Sequence, residues 1–478
     1  MTRTIETRNL IGGVWTTADD RSTFDVVDPA TGNTVASVPN VGSAEVRRAI
    51  DAASAVRSDW EATPVADRIE ILHRIAAGLL AAEDDLAAII VSENGKPMRE
   101  ARAEVAYAAS FFPAAADAVA GIEDEFVPVD GKRVRVRYRP VGVSAAITPW
   151  NFPLAMLAKK TAPALATGCP QIVKPAEQTP LSAIAFAQIA MEAGVPSGVL
   201  SLVTGDPAAI GAAILGDPRV RKLSFTGSTE VGRLLMRGAA ERMLRLSLEL
   251  GGHAPMLVFE DADLDEAVRI SLAAKFRNGG QTCVCPNRFL VQRRVHDAFV
   301  DRLAKAVASL RSGHGLDHEV DLGPLIDDAG MAKVMAHIDD AVANGATVVT
   351  GGGRRVVPGC VDRFPEPTVL TGVGPGMRCW HEETFGPVCP VRAFDDEAEA
   401  IALANDTEFG LASYAITQDD DRTERLGRSL ESGIIGINDP VPAIAVVPFG
   451  GLKLSGFGRE GGKWGVHEYL EPVTVSRR

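Results

Sequence analysis

Between residues 141 and 250, five short β-type runs alternate with helix-length segments, and this alternation restricts the fold more than any other stretch. The runs are VGVSAAIT, QIVKP, VLSLVTG, VRKLSFTG and MLRLSLEL. The segments between them carry helical periodicity or helix-start signals, such as Thr179-Pro180 and Ser228-Thr229-Glu230. Strands that alternate with helices form a parallel sheet covered on both faces. Such sheets bind ligands beyond the carboxyl ends of their strands. Here every run ends in polar or glycine groups: Thr148 to Asn151, Lys174 to Glu177, Gly205-Asp206, Thr226-Gly227-Ser228, and Glu249. Five such ends on one rim predict a site there. The GxGxxG fingerprint is absent, so any nucleotide must be held by another arrangement.

Upstream, residues 9–40 read as short strands and turns, and from Ser43 the pattern becomes helical. Three or four helices are expected, broken at Pro64 and at Asn94-Gly95. After the acidic Glu123-Asp124-Glu125 comes RVRVRYR, strict alternation that predicts a strand with one apolar and one basic face. After Gly251-Gly252 a second α/β series begins with PMLVFE, a helix from Asp263, NRFLVQR and a helix from His296, and it ends near GIIGIND. Gly351-Gly352-Gly353 reads as a hairpin loop, because no GK[ST] follows it.

A chain of 478 residues is too long for one core. Its net charge of −13 argues against a nucleic-acid or anionic-membrane binder, and against reading RVRVRYR as a nucleic-acid strand. No apolar run approaches the ~20 residues that span a bilayer. The start MTRTIETRNLIGG has no apolar signal core, so a cytoplasmic location is expected. Six scattered cysteines do not make a disulfide framework.

One of those cysteines, Cys283, lies in FRNGGQTCVCP behind a Gly-Gly pair, which would let the backbone approach a bound ligand closely. Alone, it reads equally as a small buried hydrophobe. As a thiolate it would be a nucleophile, and its ordinary pKa of ~8.5 must then be lowered by its surroundings. A nucleophile that attacks a carbonyl needs an oxyanion donor, and a base to activate water if the adduct is to be hydrolysed. Asn151 in TPWNFP offers a neutral amide that could join the Cys283 backbone N–H in an oxyanion hole. Glu249 in LELGGHAP offers a strand-end carboxylate for base work. Taken singly, these are also a turn residue and a solvated charge.

TPWNFP, KPAEQTP, FTGSTEVG, LELGGHAP, GGQTC, EETFGPV and PFGGLKLSGFGRE occur in an order and at spacings that resemble the aldehyde dehydrogenase superfamily over nearly the whole chain. The resemblance implies an α/β fold: a Rossmann-like parallel-sheet NAD-binding domain (1–121 and 141–250) and an α/β catalytic domain (251–452). A small β oligomerisation arm with the C-terminal tail (122–140 and 453–478) completes it. It assigns Cys283 as nucleophile, Asn151 as oxyanion donor, Glu249 as base, and Lys160 as support for a proton relay. Lys174 and Glu177 would hold the adenosine ribose, Ser228 the pyrophosphate near a helix N-terminus, and Glu383 the nicotinamide ribose, with Phe385 packing nearby. Thr226 and Gly227 would line the nicotinamide pocket, and Thr148 and Trp150 the cofactor cleft. The base favours a hydrolytic, acid-forming enzyme over a coenzyme-A-acylating one. Glu177 would accept a bond from a ribose 2′-hydroxyl and repel a 2′-phosphate, so NAD is preferred and NADP less favoured.

By motif alignment Lys159 and Arg277 enter the substrate tunnel, where two cations suit an anionic far end and, if close enough, favour the Cys283 thiolate. Arg277 matches succinate-semialdehyde dehydrogenases. Those enzymes carry arginine where Lys159 stands, and a serine contact where this chain has AIAVVPFGG. Another short acid-aldehyde, such as a glutarate or malonate semialdehyde, therefore stays open, as do small hydroxyaldehydes and aliphatic aldehydes. A non-catalytic member would have lost the thiol, base or amide. Cys285 in CVC resembles a cysteine that closes a reversible disulfide with the nucleophile; a metal site is not expected, since no Cys or His cluster lies nearby. The arm and the tail LEPVTVSRR would be unpaired strands in a monomer, so a homodimer or homotetramer is expected.

Overall fold

A computed structural model describes residues 6–478. The chain opens on two hairpins, β1 (Asn9–Ile11) with β2 (Val14–Thr16), and β3 (Thr23–Val27) with β4 (Thr34–Pro39). Helices α1 (Ser43–Ala62), α2 (Val65–Ala81), α3 (Glu83–Asn94) and α4 (Met98–Ala120) follow. The breaks fall at Pro64 and Gly95, as expected, and also at Ala82, which no proline or glycine marks. Gly95 is left-handed (φ +90°), and a Cβ there would lie 2.7 Å from Cγ of Pro324, so the turn requires glycine.

The arm strands β5 (Glu125–Val129) and β6 (Lys132–Pro140) lead into β7 (Val143–Ile147), α5 (Pro153–Thr167), β8 (Gln171–Lys174), α6 (Leu181–Glu192) and β9 (Leu200–Leu202). Then come α7 (Pro207–Gly216), β10 (Val220–Thr226), α8 (Thr229–Ala240) and β11 (Arg245–Glu249). The five expected runs are thus five strands, parallel in the order β9-β8-β7-β10-β11. The order reverses between β7 and β10, and at such a switch point the connections diverge and leave a crevice. Thr179-Pro180 does start a helix, but not by a side-chain cap. The first N–H groups of α6, at Leu181 and Ser182, are accepted by the buried Glu93 carboxylate at 2.6 and 3.0 Å.

On β10 and β11, alternation turns Leu223, Phe225 and Leu248 into an apolar core with Ile50 of α1 and Ile210 of α7. Lys222, Ser224, Thr226, Ser247 and Glu249 take the other face. This polar face is buried too, which is unusual, and it brings Glu249 to the side where Lys160 of α5 lies.

The second series runs β12 (Ala254–Val258), α9 (Leu264–Lys275), β13 (Pro286–Gln292), α10 (Arg293–Ala308), α11 (Asp328–Ala343), β14 (Thr347–Thr350) and β15 (Thr368–Thr371). It continues through α12 (Arg378–His381), β16 (Val388–Phe394), α13 (Glu397–Asn405), β17 (Phe409–Gly410), β18 (Ala412–Ile416), α14 (Asp420–Ser429) and β19 (Ile434–Ile437). These build a seven-stranded sheet, β14-β15-β16-β13-β12-β18-β19, with only the edge strand β14 antiparallel. The chain closes with β20 (Leu452–Lys453), β21 (Gly456–Phe457), α15 (Gly462–His467) and β22 (Leu470–Arg477).

The tail corrects one expectation. β22 pairs antiparallel with β6 along its whole length, from Leu470↔Pro140 to Arg477↔Arg133, and β5 pairs with the other side of β6. Arm and tail are therefore not unpaired strands but one three-stranded sheet within the chain, whose open edges are β5 and β22. Of the strands from 453 on, β21 joins β11 in the first sheet and β22 pairs with the arm, where His467 of α15 also packs edge-on against Tyr138. Alternation on β6 is as expected, with Val134, Val136 and Tyr138 half-buried between exposed arginines. Asp124 ion-pairs with Arg135 and Arg137.

Candidate active site

The nucleophile segment follows α9. Asn278, Gly279 and Gly280 all have positive φ (53°, 62° and 77°), which folds the chain back on itself. A Cβ on Gly280 would lie 2.3 Å from the Gly386 carbonyl oxygen. The glycine thus serves close packing of the protein on itself, not the close approach of a ligand that the Gly-Gly pair suggested. On the other side, a Cβ on Gly252 would come 2.2 Å from the Cys283 carbonyl oxygen, so the LELGGHAP turn and the thiol loop sit back to back.

Asn151 lies between β7 and α5. Its Nδ2 donates to the Gln281 carbonyl at 3.0 Å, and its Oδ1 accepts the Phe152 N–H at 3.1 Å. The amide is therefore fixed to the loop that carries Cys283. Both residues line a cavity of about 540 Å³, together with Trp150, Lys159, Thr226, Gly227, Ser228, Arg277, Glu383 and Phe385. Tyr107, Met156 and Phe449 also line it.

Burial pushes the Cys283 thiol up to about 12; the charges of Glu383 and Glu249 add to this and Lys159 opposes it. Lys159 favours the thiolate as expected, but desolvation outweighs it and leaves the thiol raised. Glu249 is buried with both carboxylate oxygens unbonded among the described residues. Its pKa is raised well above the carboxylate range by burial and by the Glu460 charge, against Lys160 and Lys159. Glu460 is pushed up by burial but ends lowered, because Lys160 and Lys159 hold its charge and Lys160 and Ser224 bond to it.

Among the described residues Lys159 Nζ is buried with no hydrogen-bond partner; it lies 3.3 Å from the Phe449 ring centre and 5.5 Å from that of Phe111. The Arg277 guanidinium carbon lies 5.2 Å from the Phe152 ring centre. Glu100 feels the Arg277 charge, but its Oε2 is taken by the Asn278 N–H.

In the other half of the cavity, Ser228 caps α8 by accepting the Val231 N–H at 3.3 Å. Glu383 accepts the Gly252 N–H at 3.0 Å, and burial raises its pKa to about 7. Trp150 and Phe385 meet edge to face at 5.4 Å, with Phe385 in the left-handed region (φ +58°), a strained setting for an aromatic residue. The hydroxyls of Thr148 and Thr226 are buried without a partner, and Gly227 has no room for a side chain beside the Phe225 ring. Unsatisfied hydroxyls and a bare backbone beside a helix N-terminus fit a polar, phosphate-bearing ligand.

Some expected site residues stand outside the cavity lining. Lys174 and Glu177 pair with each other at the end of β8. Lys160 and Glu249 lie behind the lining with Glu460. The Cys285 thiol is fully buried, donating to the Gly280 carbonyl at 3.2 Å and lying 3.7 Å from Lys275 Nζ. Its sulfur would have to leave both contacts to reach Cys283. Sequence reasoning did not single out Glu460, although PFGGLKLSGFGRE contains it, nor Lys333, which lines the Glu383 end.

A family model described as "Aldehyde dehydrogenase family" matches residues 15–475. Glutarate-semialdehyde dehydrogenase of Pseudomonas putida is 49% identical over 96% of this chain and 95% of its own length. Succinate-semialdehyde dehydrogenase [NADP(+)] of Escherichia coli is 49% identical over 97% and 96%. The crystal structure of succinate-semialdehyde dehydrogenase from Burkholderia pseudomallei superposes with a TM-score of 0.97 at 51% identity, covering 99% of this chain and 98% of that one.

Proposed function

The chain belongs to the aldehyde dehydrogenase family, and we propose that it oxidises a short semialdehyde, carrying a carboxylate at its far end, to the diacid. The observation that carries this reading is the pair Lys159 and Arg277 on the wall of the Cys283 cavity, the first with no acceptor and the second stacked on a ring. A buried ammonium without a partner is costly unless a ligand supplies the anion. The similar proteins named above, which act on glutarate and succinate semialdehydes by their names, support the same class.

The Cys283 sulfur adds to the aldehyde carbon, and the resulting oxyanion is held by Asn151 Nδ2 and the Cys283 N–H. Lys159 is the cation that favours the thiolate. Glu249, made more basic by burial, takes a proton from the attacking water when the thioester on Cys283 is opened. Lys160 and Glu460 stand beside it to carry the proton on. Removal of one oxyanion donor from such a site costs ~10²–10³ in rate.

Trp150, Thr226, Gly227, Ser228, Glu383 and Phe385 would hold a nicotinamide dinucleotide, with Lys174 and Glu177 on its adenosine ribose. When bound, this cofactor supplies the hydride acceptor. The Glu177 carboxylate favours NAD over NADP, because it would repel a 2′-phosphate; a pH-independent kinetic preference for NADP would overturn that choice. The open edges of the arm sheet, with Phe126, Val127 and Val129 exposed on β5, support assembly into a dimer or a pair of dimers.

The test is kcat/KM, read as NADH formation, for succinic and glutaric semialdehydes against butanal. The charged substrates should be favoured by ~10²-fold, the worth of about 2.8 kcal/mol of ion pairing in a desolvated site. Equal rates for all three aldehydes would remove the anionic-substrate reading.

A further inference from the structure

The corner between α3 and α4 takes no part in the chemistry above, yet its side chains hold the loops that do. Asn94 Nδ2 donates to the Trp150 carbonyl at 3.0 Å. Lys96 Nζ donates to the next carbonyl, that of Asn151, at 2.8 Å, and Asn278 Nδ2 donates to the same oxygen at 2.9 Å. The Lys96 ammonium is paired with Glu104 of α4 at 2.6 Å, both side chains fully buried, and lies 3.9 Å from the Phe152 ring centre. The other Glu104 oxygen accepts the Leu154 and Ala155 N–H groups at 3.0 and 3.2 Å, in the first turn of α5. Glu100 accepts the Asn278 N–H at 2.6 Å. One ammonium thus stands where α4, the Asn151 loop and the thiol loop meet.

We propose that Lys96 is a positioning residue for the oxyanion donor: anchored by Glu104, its ammonium fixes the Asn151 carbonyl and, through that peptide, the amide that faces Cys283. The proposal rests on the reading of Asn151 as that donor. A buried ion pair is weak evidence for stability, since an apolar pair of equal volume often serves as well. What an apolar pair would not supply is a charge-assisted bond to one particular carbonyl. Asn151 is held at its carbonyl by Lys96 and Asn278, and at its side chain by Gln281 and Phe152. Loss of the strongest of these would let the amide drift, and a shift of about 1 Å in a reacting constellation costs ~10²-fold.

Two variants test it. Lys96→Met with Glu104→Gln removes both charges together and keeps an acceptor for the Leu154 and Ala155 N–H groups. Lys96→Gln removes the charge and places a neutral amide donor about one bond short of both Glu104 and the Asn151 carbonyl. Each is made in the parent and in Asn151→Ala, folding is checked by circular dichroism, and NADH formation in the first turnover is measured with succinic semialdehyde. In the parent the first-turnover rate should fall by ~10- to 10²-fold with the Kd for NAD unchanged. In the Asn151→Ala background the same changes should cost less than about 2-fold, because the group they position is gone. An unchanged first-turnover rate, or equal losses in both backgrounds, overturns the positioning role and leaves a structural ion pair. If Asn151→Ala alone costs less than about 10-fold, the oxyanion reading itself fails, and the proposal with it.

Discussion

Lys159 and Lys160 are neighbours on α5 and both are buried, yet their settings are opposite. Lys160 faces the back of the base, where Glu460 and Ser224 take its ammonium. Lys159 faces the cavity, where aromatic rings surround it and no acceptor is in reach. The carboxylates divide in the same way: Glu460 is paired and lowered, whereas Glu249 is unbonded and raised. Lys160 and Glu460 satisfy each other inside the protein, whereas Lys159 at the cavity wall and Glu249 behind it have no hydrogen-bond partner among the described residues. An unpaired buried charge costs several kcal/mol, so its persistence at the cavity wall marks where a ligand supplies the missing partner.

The largest expected effect comes from breaking the paired side. Lys160→Met leaves Glu460 buried without its cation, which should cost ~3–5 kcal/mol of stability. Lys159→Met removes a charge with no hydrogen-bond partner among the described residues and leaves Glu460 paired with Lys160, so its denaturant midpoint should fall less than that of Lys160→Met. Equal destabilisation of the two variants in urea titrations would erase the contrast.

A second, smaller effect is read in selectivity. Arg277→Ala should lower kcat/KM for succinic semialdehyde by ~10–10²-fold and leave butanal within about 2-fold, since the lost bidentate contact is made to the carboxylate alone. A drop shared by both aldehydes would mean that Arg277 shapes the loop instead of reading charge.

Much of this arrangement was legible in the sequence, and the illegible parts share a cause. The five parallel strands of the eight-stranded first sheet read directly because strands buried on both faces are short apolar runs with polar ends. Cys283, Asn151, Lys159, Arg277 and the Ser228 cap follow from local motifs, and the structure places all five on one cavity. Glu460, Lys96 and Asn278 matter through partners distant in sequence, and no local spacing announces such contacts. The pairing of β22 with β6 escaped for the same reason: RVRVRYR shows a strand but not what lies beside it. That burial raises the Cys283 thiol was not legible, because a sequence displays charges but not the desolvation that outweighs them.

The smallest predicted effect concerns Glu383, a cavity-wall carboxylate that accepts the Gly252 N–H and whose behaviour with pH can be tested without changing any packing. It is buried, and its pKa is raised from 4.5 to about 7 by burial, against Gly252, Lys333 and Lys275. As a carboxylate it would accept the ribose hydroxyls of NAD; protonated, it loses that acceptor. NAD affinity should therefore fall as pH drops through 7, by up to ~10-fold between pH 8 and pH 6, following the ionised fraction of one group. The unliganded fold has the opposite sign. A carboxyl raised on folding contributes stability that is fully present below its unfolded pKa, 4.5, and lost as pH rises through about 7. Glu383→Gln should flatten both profiles together, because amide and carboxylate have nearly the same shape but the amide does not titrate. Calorimetric titration of NAD into the parent and the variant between pH 6 and pH 8 checks the first profile, and urea midpoints over the same range check the second. An NAD profile that keeps its slope in Glu383→Gln would assign the titration to another group and take Glu383 out of the set of charges completed by the ligand.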